Sequence, residues 1–406
     1  MANSITTLVP KIIAGRSLEF LRENAVTPRL VQNISDKVVA QKGDVITLPD
    51  TDALTVTNVT VAATPPLPAD VTLASKYVTI NQWKKVSFGL TDKELHEIAA
   101  GEHFVPGEMQ EAMRALGNNV DDYILALYTG VWNFAGTPGT TPFATNLNAF
   151  RDARKLLNKD LAPMSGRNVV LDPDAEANAL VLSQFLKADE RGDQGGIITG
   201  EIGTKLGANW YMNQNVVSAH TVGSWGCAAS CGTEVKAVAT AGTSTFIIQG
   251  TSTTTTIGGS VKAGDVFYVT GDSQPYVIKT GGSVAAAANA SLALTVSPPF
   301  RVTIAAAATV AWYQSTIAKT DLLDVGDPSV NLYFHPNAIA FCSRPMASTS
   351  SFLGSGGNFT QVVRDPVTGI SMRMEIIRQY KRWSVEYDIL YGATLVRPQL
   401  AARIHG

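Results

Sequence analysis

The stretch that decides the fold is residues 383–398, which read WSVEYDILYGATLVRP. Apolar or aromatic side chains at Trp383, Val385, Tyr387 and Ile389 alternate with polar ones. Because successive side chains of a strand point to opposite faces, this period of two predicts a half-buried strand. Its predicted polar face consists of Ser384, Glu386 and Asp388.

Further strands are predicted upstream of this segment. Residues 364–369, RDPVTG, read as a tight turn between the β-like flanks 360–363 and 370–377. Residues 41–49 and 77–88 also have strand chemistry. Between them lies a Thr-rich stretch of β-formers with Val56, Val59 and Val61. The sequence TPPLP follows at 64–68, and its prolines fit neither a helix nor a central strand. We therefore predict a long projecting β-loop.

Helices are predicted in the middle of the chain. Residues 91–94 form a capping-box pattern that opens a short helix. A longer helix is predicted to start at Pro106–Gly107 and to end at Gly130. Its apolar stripe is Met109, Met113, Leu116, Val120, Tyr123 and Leu127. Further elements are a helix marked by Leu147, Phe150, Ala153 and Leu157, a buried strand at 167–171, a helix capped by Asp172 with Pro173 in its first turn, and a loop at 192–196.

Residues 223–318 differ in composition from the rest of the chain. This stretch contains seven charged side chains and is dense in Thr, Ser, Gly, Ala and Val. Strand-like runs at 246–248, 261–270, 276–279 and 292–296 predict an inserted antiparallel β domain, which should fold by itself. The predicted core aromatics are Phe267, Tyr268, Tyr276, Phe300 and Trp312. A flexible low-complexity linker is the alternative interpretation.

Composition excludes several functional classes. The chain has 406 residues, 16% of them charged, and a net charge of -2, which argues against an extended basic surface for nucleic acid. The low charge content suits either a chain whose surface is covered by other chains or a soluble domain rich in Ser, Thr and Gly. Three cysteines do not suit a disulfide scaffold, and neither a signal peptide nor a membrane span is predicted.

Several residues partly match catalytic or metal-binding patterns, but none of these patterns is complete. His96 and His103 are seven residues apart, which is the wrong spacing for two zinc ligands on one helical face. Cys227 and Cys231 lie in a small-residue loop without a second cysteine pair. The acidic residues at 172–176 are explained by helix capping. We therefore predict no catalytic residues, no metal, no cofactor and no enzymatic activity.

The segment at 383–398 resembles the closing strand of tailed-bacteriophage major capsid proteins, in which an aromatic-rich strand ends in Tyr-Gly and an Arg-Pro segment follows. The order of parts resembles the Hong Kong 97 capsid fold, and the inserted β domain resembles that of coat proteins of short-tailed phages. The resemblance implies an α+β fold with an N-terminal arm, a long β-loop, a spine helix, an α/β axial domain and an inserted small antiparallel barrel. The implied segments are the arm (1–40), the extended β-loop (41–90), the spine helix and peripheral domain (91–160), the axial domain (161–222 and 319–350), the inserted domain (223–318) and C-terminal peripheral strands (351–406).

The resemblance also implies a function. The chain would self-assemble as hexamers and pentamers into an icosahedral shell around a double-stranded DNA genome, with scaffolding and portal proteins and a decoration protein as candidate partners. It would contact DNA non-specifically, assemble in the host cytoplasm and remain in the virion capsid. From the residues we name Trp83, Lys84, Lys85 and Phe88 on the β-loop as candidate subunit-interface residues.

Two alternatives stay open at this point. Another phage structural β protein, from the tail or the head decoration, would fit the Thr- and Gly-rich strands but not the long helix. An enzyme with an α/β core and a β lid would need titratable residues clustered in one pocket.

Overall fold

The computed structural model describes most of the chain, which divides into two compact units. The described residues are 25–35, 45–51, 73–91, 107–187, 202–217, 220–226, 232–251, 256–288, 290–313, 329–346 and 359–406, with positions 17, 19, 21, 56, 58, 59 and 61. The first unit comprises Met1–Asn24, Asn33–Leu116 and Ala340–Val396, and the second Ala25–Gln32, Gly117–Ile339 and Arg397–Gly406.

The secondary structure is a mixture of helices and strands, so the mixed α+β class is confirmed. The helices are α1 (Gly107–Leu125), α2 (Asn148–Lys159), α3 (Pro173–Val181) and α4 (Ser183–Leu186). The strands are β1 (Gln32–Asn33), β2 (Val45–Thr51), β3 (Leu73–Thr79), β4 (Gln82–Thr91), β5 (Phe134–Gly136), β6 (Arg167–Leu171), β7 (Gly203–Lys205), β8 (Ala208–Met212), β9 (Thr233–Val235), β10 (Thr245–Gly250), β11 (Thr256–Val261), β12 (Val266–Val269), β13 (Tyr276–Thr280), β14 (Gly282–Ala288), β15 (Ser291–Ser297), β16 (Thr309–Trp312), β17 (Val330–Phe334), β18 (Ile339–Ser343), β19 (Phe359–Arg364), β20 (Ser371–Gln379), β21 (Arg382–Leu395) and β22 (Ala401–His405). Among the described helices, none is long and apolar enough to cross a membrane.

A six-stranded sheet organises the first unit. Its order is β1-β18-β21-β20-β19, and β4 also pairs with β21. The predicted closing strand is β21, and it runs antiparallel to both β20 and β4. The predicted turn joins β19 to β20, where the Asp365 carboxylate accepts the backbone N–H groups of Val367 and Thr368.

The predicted β-loop is partly confirmed. Strands β2 and β3 pair antiparallel, from Val45 opposite Thr79 to Thr51 opposite Leu73. One face is buried through Ile46, Leu48 and Val78, as strand alternation requires. The prediction of one strand over 77–88 is wrong: β3 pairs with β2 and ends at Thr79, whereas β4 begins at Gln82 and pairs with β21.

Helix α1 confirms most of its predicted apolar stripe. Met109, Met113, Leu116 and Val120 are buried, but the next buried apolar side chain along the helix is Ile124. At 3.6 residues per turn, Ile124 lies about 40° around the helix from Val120, whereas a residue three positions on lies about 60° away on the other side. The predicted core positions Tyr123 and Leu127 are therefore half-buried instead.

The second unit contains a mixed six-stranded sheet in the order β5-β22-β17-β6-β8-β7. Strands β6, β17 and β22 are buried at every position. Strand β22 leaves the C-terminal sheet and pairs with β17 and β5, so the predicted C-terminal segment 351–406 divides at Val396. Helices α2 and α3 confirm their predictions, and Asp172 caps α3 by accepting the N–H of Ala175 at 3.2 Å.

The inserted region contains a closed barrel in the order β10-β15-β13-β12-β16-β9. Of the predicted core aromatics, Phe267, Tyr276, Phe300 and Trp312 are buried. The prediction that Tyr268 is a core residue is wrong: its side chain points outward from β12 and contacts Phe134, with the two ring centroids 5.5 Å apart. The predicted strand 261–270 is two strands, because the Asp265 carboxylate accepts the N–H of Lys262 and closes a turn.

Some predictions fall outside the described residues. They are the short helix after residue 91, the loop at 192–196, the Pro-rich stretch 64–68 and the pair Cys227 and Cys231.

Candidate subunit interface

The four predicted interface residues lie on strand β4. The register with β21 places Lys85 opposite Asp388 and Phe88 opposite Val385. Because side chains alternate along a strand, Trp83 and Lys85 belong to one face of the sheet, and Lys84 and Phe88 to the other. The structure therefore brings the four residues to one strand but divides them between two faces.

Trp83 is an exposed aromatic side chain with a fixed polar end. It is 63% exposed, yet its indole N–H donates to the Asp388 carboxylate at 3.0 Å. A large exposed ring whose orientation is already fixed loses little conformational entropy when a partner covers it.

The carboxylate that holds Trp83 is itself buried and paired. Asp388 is 5% exposed and accepts from Nε and Nη2 of Arg373 at 3.0 and 2.6 Å. The hydrogen bonds to Asp388 raise the pKa of Arg373, and Glu375, 3.3 Å from its Nη1, adds to this effect. The prediction that Asp388 lies on an exposed polar face is therefore wrong: its pairing with the neighbouring strand allows its burial.

Lys85 adds a weaker interaction on the same face. Its ammonium is 3.4 Å from the Glu386 carboxylate, and the Lys85 side chain is 62% exposed. Exposed pairs of this kind contribute little to stability, since water screens them and both side chains lose freedom. Lys85 therefore keeps a charge that is accessible to another chain.

The opposite face of β4 joins the core of the first unit. Phe88 is half-buried, and its ring centroid lies 6.3 Å from that of Tyr387. Tyr387 is fully buried and its hydroxyl interacts with that of Ser17 at 3.1 Å; burial raises the pKa of this phenol. Phe88 therefore has a folding role, which sequence reasoning did not separate from an interface role.

Strand β4 lies at an edge of its sheet. Within the described part of the chain, it pairs with β21 on one side and its other side has no strand partner. Such an edge presents free backbone N–H and C=O groups, and lysines on it discourage unselective pairing. Lys84 and Lys85 therefore mark an edge that favours an acidic partner.

Other exposed apolar residues lie between β2 and β3 and on β3 itself. Val56, Val59 and Val61 are 101, 95 and 103% exposed, and Tyr77 is 57% exposed. The sequence prediction placed the three valines in the Thr-rich stretch of the β-loop but did not give their exposure. The available signal was their position beside a Pro-rich stretch in a segment without basic residues.

Outside the candidate interface, the described residues form a cavity but no cluster of metal ligands. Among these residues, no three His, Cys, Asp or Glu side chains are grouped to hold a metal. A cavity of about 290 Å³ in the second unit is lined by Arg29, Glu176, Thr204, Asn209 and Trp210, among others.

Comparison with known proteins gives the following findings. No protein-family model matches the chain, and a search of curated proteins finds no match. Among solved structures, one from Mycobacterium phage Che8 has 16% identity and a TM-score of 0.48, covering 94% of this chain and 90% of its own. The capsid structure of the Cyanophage P-SCSP1u has 12% identity and a TM-score of 0.48, covering 94% and 88%. The asymmetric unit of the bacteriophage PhiM1 mature capsid has 10% identity and a TM-score of 0.46, covering 94% and 86%.

Proposed function

We propose that this chain is the major capsid protein of a tailed bacteriophage and builds an icosahedral shell around a double-stranded DNA genome. The observation that carries the proposal is the pairing of β4 with β21 along ten residues. It joins the segment that resembles a capsid closing strand to the strand that follows the β2–β3 hairpin. The role is structural, without catalysis or a cofactor.

The architecture supports a Hong Kong 97-like assignment. In the proposed scheme, the β2–β3 hairpin is the extended loop, α1 is the spine helix and the β5–β22–β17–β6–β8–β7 sheet is the axial domain. The closed barrel at 233–312 is the inserted domain.

The proposed contact between subunits places the hairpin of one copy over an adjacent copy. Residues 45–79, which include β2 and β3, carry four charged side chains, and three of them are acidic: Asp50, Asp52 and Asp70, with Lys76 as the one base. Strand β4 carries two, Lys84 and Lys85. Opposite charges on two segments of one chain favour head-to-tail association, which closes into rings when the rotation allows.

The proposed capsid function implies a place of assembly and a set of partners. Hexamers and pentamers would assemble in the host cytoplasm with scaffolding and portal proteins, a decoration protein could bind the outside, and the shell would remain as the virion capsid. Genome contact would be non-specific, in keeping with a net charge of -2.

Deletion of residues 60–72 tests the proposed contact. We expect a folded subunit that does not close shells, assayed by circular dichroism and electron microscopy. Trp83→Ala should likewise reduce shell yield, whereas Tyr380→Ala, which removes an 87% exposed ring in the turn between β20 and β21, serves as the matched control. Normal shells from the deletion variant would refute the contact.

A further inference from the structure

The barrel and the mixed sheet of the second unit meet through buried polar groups. Arg403 on β22 is fully buried, and its Nη1 donates to the Gly264 carbonyl at 2.7 Å. The guanidinium carbon also lies 5.3 Å from the centre of the Tyr128 ring. Gly264 belongs to the turn between β11 and β12, so this contact ties the barrel directly to the sheet.

A hydrogen-bonded chain runs beside Arg403. Tyr128 Oη is 2.7 Å from His220 Nδ1, and His220 Nε2 is 3.0 Å from Asp265 Oδ1. Asp265 also accepts the backbone N–H groups of Lys262 and Gly223. The His220 and Asp265 side chains are 4% and 0% exposed, so water does not screen this chain.

His405 lies in the same region without a hydrogen-bonding partner. It is 1% exposed, and both ring nitrogens are buried and unpaired, as is Nε of Arg403. Its ring centroid is 5.7 Å from that of Tyr313, which follows barrel strand β16, and 6.3 Å from that of Phe134 on β5. Buried polar groups normally have partners, so a histidine with two orphaned nitrogens needs an explanation.

The surroundings of His405 oppose a second proton on its ring. Burial lowers its pKa well below the ordinary 6.5, and the positive charge of Arg403 and the interaction with His220 lower it further. The facing groups are aromatic on the Phe134 and Tyr313 side and apolar at Val330, the residue opposite on β17. The carboxylate of this network is Asp265, which His220 and two backbone N–H groups already engage.

We infer that Arg403, His405, His220, Asp265 and Tyr128 form a proton-sensitive joint that docks the barrel onto the mixed sheet near neutral pH and releases it on acidification. A proton on His405 places a second cation beside Arg403 in a site without water, and the repulsion between the two cations destabilises the docked state. When the barrel moves away, water reaches His405 and solvates its charge. The barrel itself stays folded, because its core of aromatic and aliphatic residues does not include the joint.

The sign of the effect follows from linkage. A histidine whose folded pKa is depressed contributes stability above the ordinary pKa of 6.5, and this stability is lost as the pH falls. With His405 still neutral in the docked state at pH 5, the released state gains up to about 30-fold in population between pH 8 and pH 5.

Hydrogen–deuterium exchange on the unassembled full-length chain tests the joint independently of shell formation. We expect protection factors for the peptide covering 262–268, which carries the Gly264 carbonyl, to fall by up to about 30-fold from pH 8 to pH 5, whereas residues 401–406 should keep the protection that their pairing with β17 and β5 gives. Protection of barrel strands β10 and β15 should not change. In His405→Gln the response should disappear, whereas His335→Gln, which replaces a histidine outside the joint, should retain it.

Nuclear magnetic resonance of the five histidines gives a second measurement on the unmodified chain. The His405 ring should remain neutral down to pH 5 for as long as the joint is closed. Titration of His405 near 6.5 in a chain with full protection at the joint would overturn the inference. An unchanged pH response in His405→Gln, or no response in the unmodified chain, would overturn it as well.

Discussion

The buried carboxylate of Asp121 on helix α1 gives the sharpest test of the fold. It is 0% exposed and accepts the backbone N–H groups of Val26 and Thr27 at 3.2 and 3.1 Å. Asn213 donates to it at 2.6 Å. These contacts fix residues 26–27 against the helix within the second unit, and all three are made by neutral donors.

Burial raises the pKa of Asp121 to about 6 from 3.8, and the hydrogen bonds from Asn213, Val26 and Thr27 oppose this rise. A folded pKa above the unfolded value means that the protonated form favours the folded state. The stability it contributes is therefore fully present below pH 3.8 and is lost as the pH rises through about 6. Between pH 7 and pH 4.5 the difference is about 2 kcal/mol in favour of the acidic side.

The assay is urea unfolding of the unassembled chain at pH 7 and pH 4.5, followed by tryptophan fluorescence. Four of the six tryptophans lie in the second unit. Asp121→Asn should remove about 2 kcal/mol of the pH dependence, because the amide does not titrate. Asp122→Asn, at the adjacent exposed position, is the control and should change it much less. An identical pH dependence for Asp121→Asn and the unmodified chain would refute the reasoning.

Three further predictions concern stability. Phe267→Ala should lower the free energy of unfolding of the barrel by about 3–5 kcal/mol, since Phe267 is fully buried, and Tyr268→Ala, which removes an outward-pointing ring, should lower it clearly less. Urea unfolding measures both losses, and equal losses would contradict the observed packing. Gly369→Ala should destabilise the first unit by about 2 kcal/mol, because φ is +71° and the new Cβ would overlap with Asn33 Nδ2; an unchanged melting temperature would count against this turn. A fragment of residues 223–318 should unfold cooperatively on heating, as calorimetry would show, and a broad non-cooperative transition would contradict an independent barrel.

Local rules explain which elements sequence analysis predicted. The Asp172 cap and the start of α1 at Gly107 depend on residues within one helical turn, so their signals lie in neighbouring positions. The strand 383–395 is likewise visible in its own alternation. Elements of this kind need no knowledge of distant partners.

The remaining features depend on contacts between distant residues. Asp388 looked like a surface residue because its partner Arg373 lies 15 positions away on another strand. Tyr268 looked like a core residue because Phe134, which it contacts outside the barrel, lies far away in sequence. The barrel closes because β9 pairs with both β10 and β16. The register between strands so far apart in the chain cannot be derived from a single sequence.

The candidate interface was predicted at the level of a strand. Sequence analysis named Trp83, Lys84, Lys85 and Phe88 together, whereas the strand alternation separates Phe88, which packs near Tyr387, from Trp83 and Lys85. The buried Arg373–Asp388 pair beneath Trp83 could not be predicted, since it depends on strand register.

Electron microscopy of the purified chain under negative stain, with and without a candidate scaffolding protein, tests the central claim most directly. The proposed capsid function predicts closed shells or regular hexameric and pentameric capsomers. A strictly monomeric, monodisperse protein under both conditions would contradict it.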